Sequence, residues 1–251
     1  MSQDIFTTRQ HWWNDGLPDG VPVGSSIVIT GPGGTGKPIL ALGFVASWIE
    51  AGGSVIVAPL QFPDPAFVNG ILNDLYGLDP GAHERSLTHV ALDPEADGLE
   101  QRADGQLTAD LVRPDNWDRL LKTASPAVED GPGVLLFSTA LNLPLLSPSY
   151  AESLLDQFET LFDDESLTTL FCVSRSMIET RARDVESMAD VLVEASVESD
   201  PKRLQLQVVR APDVASASET IETPFAPDEL ATIEELADEY RVTPVQTIRD
   251  I

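Results

Sequence analysis

Short apolar runs alternate with longer segments of mixed polarity along most of the chain. Ser26-Ile27-Val28-Ile29-Thr30 is continuous, short and β-branched, the pattern of a strand buried on both faces. Ser54–Ala58, Leu87–Leu92, Gly133–Ser138 and Leu167–Val173 read the same way, and Val191–Val193 and Arg203–Val209 close the series. Between them, Pro38–Ala51 reads as a helix, with proline in its first turn, few polar residues and Gly52-Gly53 as its stop. Pro65–Tyr76 spaces Phe67, Ile71 and Leu75 by four and meets Gly77 just beyond, a second helix. Asp115–Ser125 and Pro148–Phe162 are helical too, and Asp184–Met188 leads into the strand at Val191. Such alternation predicts an α/β fold: a mainly parallel, twisted sheet with helices on both faces, and room for antiparallel pairing among the last strands.

Three stretches fall outside that rhythm. Asp93–Asp115 is acidic and glycine-containing, and reads as a surface excursion. Residues 211–226, rich in Ala, Ser, Thr, Glu and Pro, read as a linker between a domain over 1–210 and a helical tail over 227–251. In that tail, Asp228–Tyr240 places Leu230, Ile233 and Leu236 on one face, which either caps its own domain or meets a partner. No internal repeat is visible.

Composition narrows the setting. The 251 residues carry 15 Lys+Arg against 41 Asp+Glu, a formal charge of −26, and only Lys37, Lys122 and Lys202 are lysines. Nucleic acid and anionic membranes are therefore unfavourable partners, since both demand a basic surface. Apolar residues make up 42%, enough for a core. At low salt this charge repels itself, whereas near 1 M salt the Debye length is about 3 Å and the repulsion is screened. The composition is that of a halophilic protein from a salt-rich cytoplasm. The one cysteine, Cys172, lies in an apolar run and is expected to be a buried, inert thiol. Neither a signal-like stretch nor a run of membrane-spanning length is present, so a cytoplasmic location is expected.

The chemically informative segment is Gly31-Pro32-Gly33-Gly34-Thr35-Gly36-Lys37-Pro38, set between a predicted strand and a predicted helix. Its Gly-x4-Gly-Lys spacing is the Walker A pattern in all but the last position. Glycines let consecutive amides curl around one anion, and the helix start adds its dipole. The lysine supplies a full charge for outer phosphates. Gly33, Gly34, Thr35, Gly36, Lys37, Pro38 and Ile39 are the candidate nucleotide-binding residues.

Gly20-Val21-Pro22-Val23-Gly24-Ser25, the strand that follows and this loop together resemble the entry to the RecA-like P-loop ATPases, the KaiC-like subgroup most closely. The resemblance implies a RecA-type sheet, an ATP site at the carboxyl ends of the strands, and switching within ring or filament assemblies. The chain departs from that pattern where catalysis is concerned. Pro38 stands where the magnesium-ligating Ser or Thr is expected, and it lacks both hydroxyl and N–H. Ser138 ends the strand where a Walker B aspartate is expected; a serine can hydrogen-bond water but brings no charge. Gln61 and Phe62 fall where the subgroup has paired glutamates, with Asp64 the nearest substitute. The terminal Lys-x-Arg-Gly segment that reaches a neighbouring subunit is here Val208-Val209-Arg210-Ala211, so the lysine is gone.

Three readings follow. The first is a regulatory or scaffold pseudo-ATPase that holds ATP with weak or no magnesium dependence and engages copies of itself or a signalling partner. The second is a slow ATPase with Asp64, Gln61 and Ser138 in new roles. The third is an interaction protein that no longer takes nucleotide. No other chemistry stands out: His11, His83 and His89 lack metal spacing, Ser174 and Ser176 lack a nucleophile elbow, and Trp12 and Trp13 either pack the N-terminal arm or edge against an adenine.

Overall fold

The computed structural model describes residues 4–60, 63–102, 106–124, 131–139, 141–212 and 218–240, with backbone alone at 123–124, 143–144, 177 and 234–240. In chain order the elements are β1 (Ile5–Phe6), α1 (His11–Gly16), β2 (Val21–Pro22), β3 (Ser26–Thr30), α2 (Lys37–Glu50), β4 (Ser54–Val57) and α3 (Pro65–Asp74). Next come β5 (Leu87–Leu92), β6 (Leu99–Gln101), β7 (Leu107–Ala109), α4 (Asp115–Ala124), β8 (Val134–Ser138), α5 (Asn142–Leu145), α6 (Ala151–Phe162) and β9 (Leu167–Cys172). The chain closes with α7 (Arg175–Met188), β10 (Val191–Ser199), β11 (Lys202–Arg210), β12 (Ile221–Glu222) and α8 (Pro227–Tyr240).

One sheet of ten strands organises these elements, in the order β12-β11-β10-β3-β9-β8-β4-β5-β7-β6. The stretch from β10 to β7 is parallel throughout, whereas β6, β11 and β12 pair antiparallel. The fold is thus α/β with a mainly parallel sheet, as the alternation implied. Period-two alternation divides the core. Ile27, Ile29, Val55, Val57, Leu135, Phe137, Leu170 and Cys172 face α2 and α3. Val28, Ile56, Leu136 and Phe171 face α4, α6 and α7 on the other side. Here Trp117 packs edge-on to Phe158 at 5.8 Å, and burying one such ring contributes about 2–3 kcal/mol.

The order positions a site. From β3 the chain crosses by α2 to β4, three places away, and works back through β8 and β9. It then passes along α7 to β10, on the opposite side of β3. Connections from the adjacent carboxyl ends of β3 and β9 therefore leave in opposite directions on opposite faces, and in open parallel sheets ligands bind at such a reversal.

Several expectations needed revision. The 93–115 excursion is not merely surface loop, because β7 extends the sheet beside β5 and β6 pairs back onto it. Within the stretch read as a linker, residues 218–223 run along β11: the Ser218 amide donates to Val208 O at 2.8 Å and the Thr223 amide to Leu204 O at 3.0 Å. Leu230 and Ile233 of α8 join the core, while the side chain of Leu236 lies outside the described residues. Trp12 and Trp13 are fully buried near Phe44, with Trp13 Nε1 donating to Leu40 O at 3.2 Å, so they pack the N-terminal arm. Among the described residues, no helix is long and apolar enough to cross a membrane.

Candidate functional site

Thr30 ends β3 fully buried, and its hydroxyl donates to the Glu186 carboxylate of α7. At Gly31 the chain turns with φ +141°, and a Cβ there would lie 2.4 Å from Ala195 O of β10, so only glycine fits. The turn closes at Gly36, left-handed with φ +60°, the residue that caps α2. Among the described residues, the amides of Gly34, Thr35, Gly36 and Lys37 make no hydrogen bond. These four consecutive unpartnered donors stand over a 14-residue helix whose dipole points its positive end at them.

Lys37 is folded into this curl. Its side chain is buried, and Nζ donates to Pro32 O at 2.6 Å, to Thr35 Oγ1 at 3.2 Å and to Gly31 O at 3.4 Å. Thr35 Oγ1 in turn donates to Pro32 O at 2.9 Å. Burial lowers the Lys37 ammonium to about 8; the nearby Cys172 opposes that shift and the Arg175 charge adds to it. The ammonium is thus held against neutral oxygens alone, with no carboxylate paired to it among the described residues. Cys172 lies in the core beneath, its thiol pushed up to about 12 by burial, as an inert structural cysteine should be.

The remaining candidate residues separate into two groups. Pro38 occupies the first turn of α2, where its missing N–H costs nothing to the helix. Ile39 is buried in the core and its amide donates to Gly36 O at 2.9 Å, inside the helix rather than toward a ligand. Ser138 is fully buried at the end of β8, and its hydroxyl donates to Ala58 O at 2.7 Å, joining two neighbouring strands. Its one donor is therefore spent between two strands. Asp64 caps α3 by accepting the Phe67 amide at 2.7 Å. Gln61 and Phe62 lie outside the described residues. Arg210 is turned onto its own fold: its guanidinium donates to the last carbonyls of α7, with Ala189 O at 2.6 Å and Glu186 O closer still.

Residues the sequence did not single out also shape the site. The first turn of α7 lies against the loop, with the Arg175 amide donating to Gly31 O at 3.1 Å and the Gly33 amide donating to Ser176 Oγ at 2.7 Å. Arg175 pairs with the buried Glu186 at 2.7 Å and with Glu194 of β10 at 2.9 Å; the Glu186 bond raises its affinity for its proton, against partial burial. Asn142 fastens the preceding residue from both sides: its Oδ1 accepts the Ser174 amide at 3.0 Å and its Nδ2 donates to Ser174 O. The available signal was Ser174, a helix-capping residue placed directly after an apolar strand. His89 lies apart from all this, its Nε2 3.2 Å from Asn69 Oδ1, and burial lowers it to about 4. Among the described residues, no group of three His, Cys, Asp or Glu side chains is arranged to hold a metal.

Chemically, the arrangement offers a concave set of backbone donors and one lysine, open at the tip and closed beneath. It suits a polyanion whose oxygens accept four or more bonds. Beside it the described residues present no carboxylate positioned to seat a divalent ion, since Glu186 and Glu194 are neutralised by Arg175. The chain matches no protein-family model and no curated protein.

Proposed function

We propose that this protein is a nucleotide-responsive regulatory or scaffold protein of RecA/KaiC-like type, which holds the phosphates of ATP on Gly33–Lys37 and hydrolyses them little or not at all. The observation that carries this reading is the four unpartnered amides around a buried lysine, set at the sheet's reversal point. Its complement, among the described residues, is that Pro38 has no hydroxyl and the Ser138 hydroxyl is committed to Ala58 O. An active ATPase would need substitutes, yet Asp64 is engaged as a helix cap and Ser138 as a strand tie. Losing a positioned base alone costs about 10²–10⁴ in rate. The acidic, lysine-poor surface and the expected salt-rich cytoplasm set the assay conditions.

The test is ATP binding by calorimetry together with phosphate release, both at molar KCl, for the wild type and Lys37→Ala. Binding by the wild type, its loss in Lys37→Ala and no phosphate release would support the reading. Steady turnover dependent on Lys37 would replace it with an ATPase. Absence of binding in folded protein would leave an interaction protein built on the same sheet.

A further inference from the structure

We infer that Ser176 is an internal competitor for the phosphate site, so that nucleotide must displace its hydroxyl from the Gly33 amide to use the whole loop. The inference rests on the nucleotide reading above and names how that site is regulated. The Gly33 amide donates to Ser176 Oγ at 2.7 Å, a full-strength hydrogen bond across 143 residues of sequence. An amide has one hydrogen, so a phosphate oxygen and the serine hydroxyl cannot both take it. The α7 turn borders the loop at this point: a Cβ built on Gly33 would be in ordinary contact with Ser176 Oγ at 3.4 Å and Ser174 Oγ at 3.7 Å, whereas nothing lies within 4 Å of the Cβ position of Gly34.

The helix is built to let that turn move separately. Ile178 breaks α7 with φ −138° and ψ 43°, so Arg175–Met177 forms a turn set off from the helix body. Only part of the turn is firmly anchored. Ser174 is fixed by Asn142, and the Arg175 side chain by Glu186 and Glu194. Ser176 itself is held by the Gly33 bond and by a long contact from its amide to Ser174 Oγ at 3.4 Å. A phosphate, being charged, is the stronger acceptor and wins the Gly33 amide. Ser176 then swings out about the Ile178 break, and the exposed face of α7 reports that the loop is filled.

Titration of ATP into the wild type, Ser176→Ala and Ser176→Thr at molar KCl, with hydrogen exchange over residues 175–182, tests this. Removing the hydroxyl removes the competitor, so Ser176→Ala is expected to bind ATP about two- to tenfold more tightly, the factor that one net hydrogen bond is worth. Ser176→Thr keeps the hydroxyl and is expected to bind as the wild type does. Exchange in residues 175–182 is expected to speed up when ATP is added to the wild type, and to be fast already in Ser176→Ala. Equal or weaker binding by Ser176→Ala would overturn the competition while leaving nucleotide binding intact, since the hydroxyl would then be a ligand-contacting group or a bystander. Failure of both wild type and Ser176→Ala to bind would overturn the nucleotide reading and the competition with it. Slower exchange in residues 175–182 on ATP addition would also overturn it.

Discussion

The carboxyl ends of β3 and β8 lie two strands apart in one sheet, yet they have been put to opposite uses. At β3 the polar backbone is left unspent: four amides of the Gly34–Lys37 turn have no partner among the described residues, and Lys37 rests on neutral oxygens of its own loop. At the end of β8, and after β4 beside it, polar groups are committed to structure. Ser138 ties β8 to Ala58, and Asp64 caps α3. Unspent donors in a folded protein imply a ligand or water that satisfies them, whereas committed ones imply that the fold has absorbed the position. The difference separates anion binding, which needs only backbone curvature and one charge, from phosphoryl transfer, which also needs carboxylates to hold a metal and poise a water.

The sharpest way to break this contrast is to put a charge at the end of β8. Ser138→Asp would bury a carboxylate in a fully covered site facing Ala58 O, and is expected to cost about 3–5 kcal/mol without restoring hydrolysis. A thermal melt and a phosphate-release assay on the same sample check both halves, and a stable variant with turnover would show that the β8 end is still a catalytic position. Next in size is Lys37→Met, which keeps the volume and removes the charge. It is expected to weaken ATP binding by about a hundredfold while leaving the melting temperature level or slightly raised, because a poorly solvated ammonium is gone.

The pH dependence sharpens the same point. The folded Lys37 titrates near 8, below its ordinary 10.5, so the folded state sheds its proton first. Stability contributed by this group is expected to rise as pH climbs from about 8 to about 10.5, where the unfolded chain binds more protons. Phosphate requires the ammonium, so ATP affinity is expected to fall by about tenfold per pH unit above about 8, and to lose this slope in Lys37→Met. The smallest effect concerns Asp64. Asp64→Ala is expected to cost about 1 kcal/mol through the lost cap of α3 and to leave ATP affinity unchanged. A change in phosphate release instead would mark Asp64 as a base.

Continuous β-branched runs such as Ile27-Val28-Ile29, and the Gly-x4-Gly-Lys spacing beside them, made the parallel sheet and its loop readable, because a buried strand and a curled turn are local demands on sequence. The first half of α7 was not readable: Arg175–Arg183 is rich in polar residues and broken at Ile178, so no apolar period announces it. β6 and β7 escaped for being three residues each, and the outer half of β10 for carrying Ser196, Glu198 and Ser199 where it runs beyond β3 and pairs with β11. At the site, the lysine and glycines were legible, while the roles of Ser176, Glu186 and Arg210 were not. Ser176 meets Gly33 and Glu186 meets Thr30 across more than 140 residues of sequence, and Arg210 of β11 meets Glu186 O across 24, contacts that only the packing of α7 on the sheet creates.

The most direct test of the claim that phosphates are held here without a seated metal is the affinity for ATP in magnesium against EDTA, at molar KCl and pH 7. The account expects the two dissociation constants to agree within about threefold, because no side-chain oxygen of the loop is placed to ligate the ion. Tightening by tenfold or more on adding magnesium, accompanied by phosphate release, would contradict it.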